Sequence, residues 1–295
     1  MPSAREMRLR IRSVGNIAQV TRALQAVSAS RVRRAQQAAM ATRPYATQAW
    51  AVLQHLSSQP GRNAVHPLLM DREQVRHRLV AIVSGDRGLA GAYNINVVRY
   101  AMDSFRDSSE PVGYVIVGRK GRDLVSRLRV DIRADFAGLP AEPKFADVSA
   151  IGRLLVEEYL QGRTDQVYVV YTSFVNLLRQ VPTSKKLLPL ELAGGERVDA
   201  HAGGRSGAAA SYIYEPGEAE LIEEIVPRFT ALQIYQAIQE SLASEHAARM
   251  VAMQNATENA NALRDGLRLQ YNKARQQAIT GDILDIVGGA EALGG

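Results

Sequence analysis

The sequence predicts an α+β protein in which the N- and C-terminal helices form a long antiparallel coiled coil and an α/β domain is inserted between them. Two observations support this prediction. Both ends of the 295-residue chain show helical periodicity and carry opposite net charges, whereas the middle shows short apolar runs alternating with helical stretches.

The net charges of the two ends differ in sign. Residues 1–45 contain nine arginines and one acidic residue, a net charge of +8, and residues 215–295 contain twelve acidic and six basic residues, a net charge of −6. Asymmetry of this kind usually indicates a polyanionic partner. Here the acidic end of the same chain can serve instead, so we expect the two ends to pair with each other.

The N-terminal region, residues 3–57, is predicted as one helix of roughly 80 Å, at 1.5 Å per residue. Ser3 followed by Glu6 has the pattern of a capping box at the helix start. Apolar residues at alternating spacings of three and four, with one register slip after Val14, predict a coiled-coil seam. The expected seam residues are Ile17, Val20, Leu24 and Val27.

The middle of the chain predicts a Rossmann-like α/β domain with a mostly parallel sheet, because β-rich runs alternate with helical stretches. The expected strands are 79–83, 112–117, 130–136 and 167–171, and the expected helices lie near 94–105, 120–128 and 148–160. A stretch rich in glycine and alanine, residues 193–211, is predicted as a loop.

Helical periodicity resumes towards the C terminus. Pro227 fits a first helical turn best, so a short helix over 218–225 is expected before a long one that continues to Val287. The predicted organisation is therefore an N-terminal coiled-coil helix (1–57), an α/β foot domain (75–209) and a C-terminal coiled-coil helix (210–295). The alternative is two separate helices lying on the domain. A domain of about 135 residues has a radius of gyration near 14 Å, too small to cover such helices.

Few features of the sequence indicate catalysis or cofactor binding. The chain has no cysteine, and its five histidines are scattered. The loop at residues 84–91, SGDRGLAG, stands between a strand and a helix, but it is neither a dinucleotide fingerprint nor a Walker loop. We therefore expect a structural turn there, with no catalytic, cofactor-binding or metal-binding residues in the chain and no direct nucleotide binding. The arginine-rich start leaves a nucleic-acid arm as an alternative, although its arginines are not confined to one face.

Several motifs together resemble the gamma subunit family of F-type ATP synthases. The strongest are residues 244–253 (SEHAARMVAM), 271–280 (YNKARQQAIT) and 283–290 (ILDIVGGA). Shorter matches occur at residues 11–17, 21–24, 84–91, 180–182 and 212–216. The resemblance implies a non-catalytic rotor shaft. It would transmit torque between a membrane c-ring and a catalytic hexamer of three alpha and three beta subunits, as part of a complex at the cytoplasmic face of a bacterial plasma membrane.

The resemblance also implies roles for particular residues. Those matching the family's polar contact with a beta subunit, called the catch here, are Arg275, Gln276, Thr280 and Asp282. Those matching the apolar tip that turns in a hydrophobic sleeve are Ile283, Leu284, Ile286 and Val287. Those matching the foot that meets the c-ring and the epsilon subunit are Tyr212, Tyr214 and Glu215.

Two rival functions stay open on the residues alone. An interaction scaffold built on a helical hairpin would show the same periodicity without needing the C-terminal motifs. An enzyme acting on nucleic acid would need a phosphate site in the α/β domain, and the sequence shows none. The resemblance favours the rotor and implies no nucleic-acid partner.

Overall fold

The computed structural model describes residues 4–57, 67–190 and 218–293. Two long helices, α1 (Ala4–Ser57) and α5 (Glu218–Leu293), bracket a region of five strands and three shorter helices. The strands are β1 (Arg78–Val83), β2 (Val112–Val117), β3 (Asp131–Phe136), β4 (Gln166–Phe174) and β5 (Gln180–Leu188). The shorter helices are α2 (Tyr93–Ser104), α3 (Arg119–Val125) and α4 (Phe145–Leu160).

The chain divides into two compact units. The first consists of Met1–Ala29 with Arg249–Gly295, and the second of Ser30–Ala248. The second unit contains the sheet, whose strand order is β3-β2-β1-β4-β5. β1 runs parallel to β2 and β4, and β2 runs parallel to β3. The predicted fold class, long terminal helices with a mostly parallel sheet between them, is confirmed.

The fifth strand was not predicted. β5 pairs antiparallel with β4 at the edge of the sheet, where Pro182 lies opposite Thr172. Its sequence, QVPTSKKLL, has a proline and two lysines and no apolar alternation over most of its length. Proline is tolerated in a sheet mainly on edge strands, because it cannot donate a hydrogen bond to the ladder. The features that hid this strand are those typical of an edge.

The core of the second unit lies on both faces of the sheet, which explains the continuous apolar runs. In β1, alternate residues such as Leu79 and Ala81 belong to one buried cluster, and Val80 and Ile82 to the other. The first cluster is completed by residues of α4 and of α5, and the second by residues of α2. Each fully buried aliphatic side chain contributes roughly 1.5–3 kcal/mol relative to an exposed one.

The predicted break at Pro227 is wrong, because α5 is one helix with Pro227 inside it. A proline in a helix interior removes one hydrogen bond and costs about 3 kcal/mol or more. The neighbouring residues offset this cost: Val226 is 0% exposed and Phe229 5% exposed. Thr230 also donates from Oγ1 to the Val226 carbonyl at 3.0 Å. Burial of the residues around Pro227 therefore outweighs the tendency of proline to break a helix.

The first unit contains an antiparallel pair of helical segments from α1 and α5. Arg8 pairs with Tyr271 and Thr21 with Thr257, so the residue numbers increase along one segment as they decrease along the other, and the two segments are antiparallel. Seven buried or half-buried positions of α1 follow one unbroken heptad pattern. They are Met7, Ile11, Val14, Ala18, Thr21, Gln25 and Ser28. Seven buried or half-buried positions of α5 follow the same pattern: Met253, Thr257, Ala260, Arg264, Leu267, Tyr271 and Ala274.

The predicted seam residues of α1 are wrong by one position. Ile17 is 51% exposed, Val20 58% and Val27 48%, and Leu24 is only half-buried. This apolar stripe has the same heptad spacing as the seam, but from Ala18 to Ser28 the seam itself carries small or polar side chains. These side chains form hydrogen bonds there, as Thr21 does with Thr257. The predicted register slip after Val14 is therefore absent.

Candidate functional site

The four catch residues lie on the exposed surface of α5 in the first unit. Arg275, Gln276, Thr280 and Asp282 are all exposed. Arg275 and Gln276 immediately follow Ala274, a seam position. Their side chains are consequently available to another molecule, which is the condition that the predicted catch requires. Their role in binding a beta subunit remains a prediction.

The apolar tip follows directly on the same helix and is also exposed. The exposed fractions are 54% for Ile283, 65% for Leu284, 71% for Ile286 and 55% for Val287. Single exposed apolar residues are ordinary, but a contiguous group at one helix end is typical of an interaction surface. Water would hydrate this group in the isolated chain, so burial against a partner would stabilise the assembly.

A polar contact between the two helices lies one turn before the catch. The Arg8 Nη2 atom donates to the Tyr271 hydroxyl at 2.7 Å, and the guanidinium carbon stands 5.6 Å from the tyrosine ring centroid. The hydrogen bond from Arg8 lowers the pKa of Tyr271, and the positive charges of Arg8 and Arg275 lower it further. The contact joins the start of α1 to the turn that precedes Arg275. The sequence prediction missed this pair, although an unbroken heptad count along α5 would have placed Tyr271 in the seam.

The predicted foot residues Tyr212, Tyr214 and Glu215 lie outside the described residues. The same holds for the predicted loop at 193–211 and for Ser3 of the predicted capping box. The foot assignment therefore remains a prediction from the sequence.

The glycine-containing loop at 84–91 uses its backbone groups within the second unit. The Gly85 N–H donates to the Asn94 side-chain oxygen at 2.8 Å. The Ser84 hydroxyl accepts the N–H of Gly121 at 2.9 Å. A phosphate loop needs amides that point towards an anion. The Gly85 amide and the Ser84 hydroxyl instead hold the carboxyl end of β1 against α2 and α3, as the expected structural turn would.

The crevice beside this loop is filled by α5. In open α/β sheets, ligands bind outside the carboxyl ends of the strands where the strand order reverses, which here lies between β1 and β4. Ser244 donates from Oγ to the Thr172 carbonyl of β4 at 2.9 Å. The Glu245 carboxylate lies so close to Gly85 that a Cβ added there would stand 2.7 Å from the carboxyl carbon. A helix of the chain itself thus occupies the place where a nucleotide would bind.

Over residues 4–57, 67–190 and 218–293, no group of three or more histidine, aspartate or glutamate side chains is arranged to hold a metal ion. In the same ranges, no helix is long and apolar enough to cross a membrane.

Paired terminal helices, an exposed polar and apolar helix end and a filled sheet crevice define a class of mechanical or interaction subunit. The family described as ATP synthase matches residues 3–293. An ATP synthase gamma chain of Roseiflexus sp. (strain RS-1) is 43% identical over 298 residues, 99% of each chain. One of Dehalococcoides mccartyi (strain CBDB1) is 40% identical over 297 residues, 99% of this chain and 100% of the relative. The chain belongs to the ATP synthase gamma chain family.

Solved structures share the fold at low sequence identity. A chain of the Euglena gracilis mitochondrial ATP synthase, in an OSCP/F1/c-ring structure, has a TM-score of 0.66 at 19% identity, covering 98% of this chain and 94% of that one. A chain from the Tetrahymena thermophila mitochondrial ATP synthase, in a central stalk and c-ring structure, has a TM-score of 0.60 at 21% identity. The match covers 80% of this chain and 99% of that one.

Proposed function

We propose that this chain is the central rotor shaft of a proton-translocating F-type ATP synthase. It carries torque between a membrane c-ring and a hexamer of three alpha and three beta subunits, and it performs no bond chemistry. The observation that carries the proposal is the full-length similarity, about 40% identity, to gamma chains of ATP synthase. The heptad pairing of α1 with α5 in the first unit supports it, because a shaft must resist twisting.

The chain acts through its shape. Proton flow turns the c-ring, the foot turns with it, and an asymmetric shaft then drives the three beta sites through different conformations in turn. The exposed tip, residues 283–287, is the part that turns in an apolar sleeve of the hexamer. The foot residues Tyr212, Tyr214 and Glu215 meet the c-ring and the epsilon subunit.

The catch is the contact that distinguishes one rotary state from another. Arg275 and Gln276 offer seven N–H donors in total and a carbonyl acceptor at an exposed position, and Thr280 and Asp282 lie one to two turns further on. A hydrogen bond to a charged group is worth about 1.5–3 kcal/mol. When such a hydrogen bond forms with a beta-subunit loop in only one rotary state, it changes the free-energy barrier between that state and the next.

The chain is a peripheral subunit of a membrane-associated complex. We place it at the cytoplasmic face of a bacterial plasma membrane, where the alpha/beta hexamer reaches cellular ADP and ATP. The bacterial gamma chains among its relatives support this placement.

Co-purification tests the assembly. The tagged chain, expressed in its host and purified under mild conditions, is expected to bring down the alpha, beta and epsilon subunits and the c-ring. Recovery of nucleic acid, or of the chain by itself, would contradict the proposal.

The catch is tested in the assembled complex with Arg275→Ala combined with Gln276→Ala. Assembly should persist, because neither side chain lies in the heptad seam. ATP hydrolysis and synthesis should change by about tenfold if the lost contact is worth 1.36 kcal/mol in the limiting rotary step. The matched control, Arg268→Ala with Gln270→Ala, removes the same residue types from exposed positions earlier on the helix. Unchanged turnover in the catch variant, with intact stoichiometry, would show that Arg275 and Gln276 form an ordinary solvated face.

A further inference from the structure

One segment of α5 in the second unit, residues 239–245, is held by polar contacts on several sides. Gln239 donates from Nε2 to the Pro143 carbonyl at 2.9 Å. Glu240 accepts a hydrogen bond from the Ser173 hydroxyl of β4 at 3.0 Å. The contacts on this part of the helix therefore come both from the sheet and from the segment that precedes α4.

Two serines of the same segment make further polar contacts. The Ser241 hydroxyl and the Tyr93 hydroxyl of α2 are 2.6 Å apart. Ser244, which is 0% exposed, donates to the Thr172 carbonyl of β4 at 2.9 Å. Ser241 is itself 1% exposed, so these contacts are shielded from competing water.

The directions of these contacts matter more than their number. Successive helical residues are about 100° apart around the axis. Gln239, Glu240 and Ser241 therefore point in three directions that together span about 200° of the helix circumference. A helix gripped on one side can roll, whereas a helix gripped from opposite sides cannot turn without breaking contacts on each of them.

We propose that residues 239–245 of α5, with Tyr93, Thr172, Ser173 and Pro143, form the joint that transfers torque between the α/β domain and α5. This inference rests on the proposed rotor function and adds the place where rotation of the domain becomes rotation of the helix. The joint occupies the crevice that related α/β sheets use for a ligand. The sheet thus grips a helix at its ligand-binding edge.

Polar contacts suit this task better than apolar packing does. The hydrophobic effect is non-directional, so an apolar interface resists separation more than it resists rotation. Hydrogen bonds weaken steeply when their angle is lost. About two helical turns before residue 239, α4 and α5 are in close contact, because a Cβ added to Gly152 of α4 would stand only 2.8 Å from the Ala231 Cβ of α5.

The test is the torsional stiffness of the complete complex. Tyr93→Phe, Ser173→Ala and Ser244→Ala together remove the side-chain hydroxyls of three of the contacts described above and add no atoms to the core. Because the chain has no cysteine, Asp107→Cys at an exposed position of the α/β domain gives it one labelling site for a rotation probe. With the hexamer immobilised and stalled, the variance of the probe angle should increase about twofold or more, because angular restraint is lost at three contacts.

A matched control separates torsional coupling from general stability. The control variant combines Tyr168→Phe, Ser126→Ala and Ser149→Ala. These changes remove one tyrosine hydroxyl and two serine hydroxyls, each hydrogen-bonded to a residue two or three positions away in the sequence. The control should leave the variance unchanged. The joint variant should also keep its subunit stoichiometry and its unloaded ATP hydrolysis, while ATP-driven proton pumping against a gradient decreases.

The outcomes distinguish the two proposals. A wild-type chain that does not assemble with alpha and beta subunits overturns the rotor function itself. A wild-type complex that rotates, with the same probe variance in the joint variant and the control, overturns the joint alone. If the triple variant does not assemble, Tyr93→Phe with Ser244→Ala is measured in its place, and an unchanged variance there has the same meaning.

Discussion

Thr21 and Thr257 place their Oγ1 atoms 2.6 Å apart, buried between the two helical segments of the first unit. Each hydroxyl also lies within hydrogen-bonding distance of a carbonyl of its own helix, at 3.0 Å for Thr21 and 2.8 Å for Thr257. One hydroxyl can therefore donate across the pair while the other donates to its own backbone. On either side of Thr21 the seam of α1 carries the small or polar residues Ala18, Gln25 and Ser28, whereas the apolar stripe of Ile17, Val20 and Val27 lies one position away and is exposed.

This placement predicts that Ala18→Asp destabilises the chain far more than Val20→Asp does. Ala18 is 6% exposed and Val20 58% exposed. A carboxylate at position 18 loses water without gaining a partner and should cost several kcal/mol. The exposed position 20 should change stability by about 0.5 kcal/mol or less. Thermal unfolding followed by circular dichroism measures the stability of both variants. A larger loss of stability for Val20→Asp than for Ala18→Asp would show that Ile17, Val20, Leu24 and Val27 form the seam.

The seam shows where reading the sequence succeeds and where it fails. Heptad spacing identified the helix and its antiparallel partner, because apolar residues at alternating spacings of three and four require a second helix. It chose the wrong stripe because Val20 is more apolar than Thr21. Burial of Thr21 depends on Thr257, 236 residues away. Within α1 itself, continuing the spacing of Met7, Ile11 and Val14 without a slip would have placed Thr21 in the seam.

The sheet and the joint also contain features that local sequence patterns do not predict. The inner strands β1 and β2 were predictable, since burial on both faces leaves a continuous apolar run. The edge strand β3 was predictable because Ile132, Ala134 and Phe136 alternate with polar residues. The edge strand β5 was not, because most of its sequence, QVPTSKKLL, shows neither pattern. Ser241 and Ser244 look like ordinary polar positions of a helix, and their function depends on a strand end and a tyrosine that only the fold brings to them.

A second prediction compares two glycines inside helices. Gly152→Ala should destabilise the chain by about 1–3 kcal/mol, because the added Cβ would stand 2.8 Å from the Cβ and 3.0 Å from the Cα of Ala231. Gly266→Ala makes the same change where the added Cβ meets no atom within 4 Å. It should stabilise the helix by up to about 1 kcal/mol. Chemical denaturation of both variants checks the prediction, and equal effects would mean that α4 and α5 are less closely packed at Gly152.

A third prediction concerns pH and the contact between Arg8 and Tyr271. The arginine lowers the pKa of Tyr271 in the folded chain, below the usual value of about 10. The extra stability is therefore fully present above the pKa of the unfolded chain, and it is lost as pH falls through the lowered folded pKa. Removing the arginine should cost most stability at alkaline pH.

Melting temperatures of the wild type and Arg8→Met, taken at intervals from neutral pH to about pH 10.5, test this sign. The difference between the two proteins should grow as pH rises. Arg12→Met is the control, because it removes an exposed arginine of the same helix and should show a difference that does not depend on pH in this range. A gap that narrows with rising pH would show that Arg8 does not favour the ionised tyrosine.

The last prediction is that the isolated chain binds ATP and NAD no more tightly than about millimolar, because its glycine loop lacks the lysine that reaches phosphates in a Walker loop. The structure adds two reasons. The Gly85 amide already donates to Asn94, and Glu245 lies against Gly85 in the crevice, where its carboxylate would repel a phosphate. Isothermal titration calorimetry of each nucleotide into the purified chain measures the affinity. Micromolar binding would require α5 to leave the crevice between β1 and β4, and would therefore contradict both the structural role of the loop and the grip of the sheet on α5.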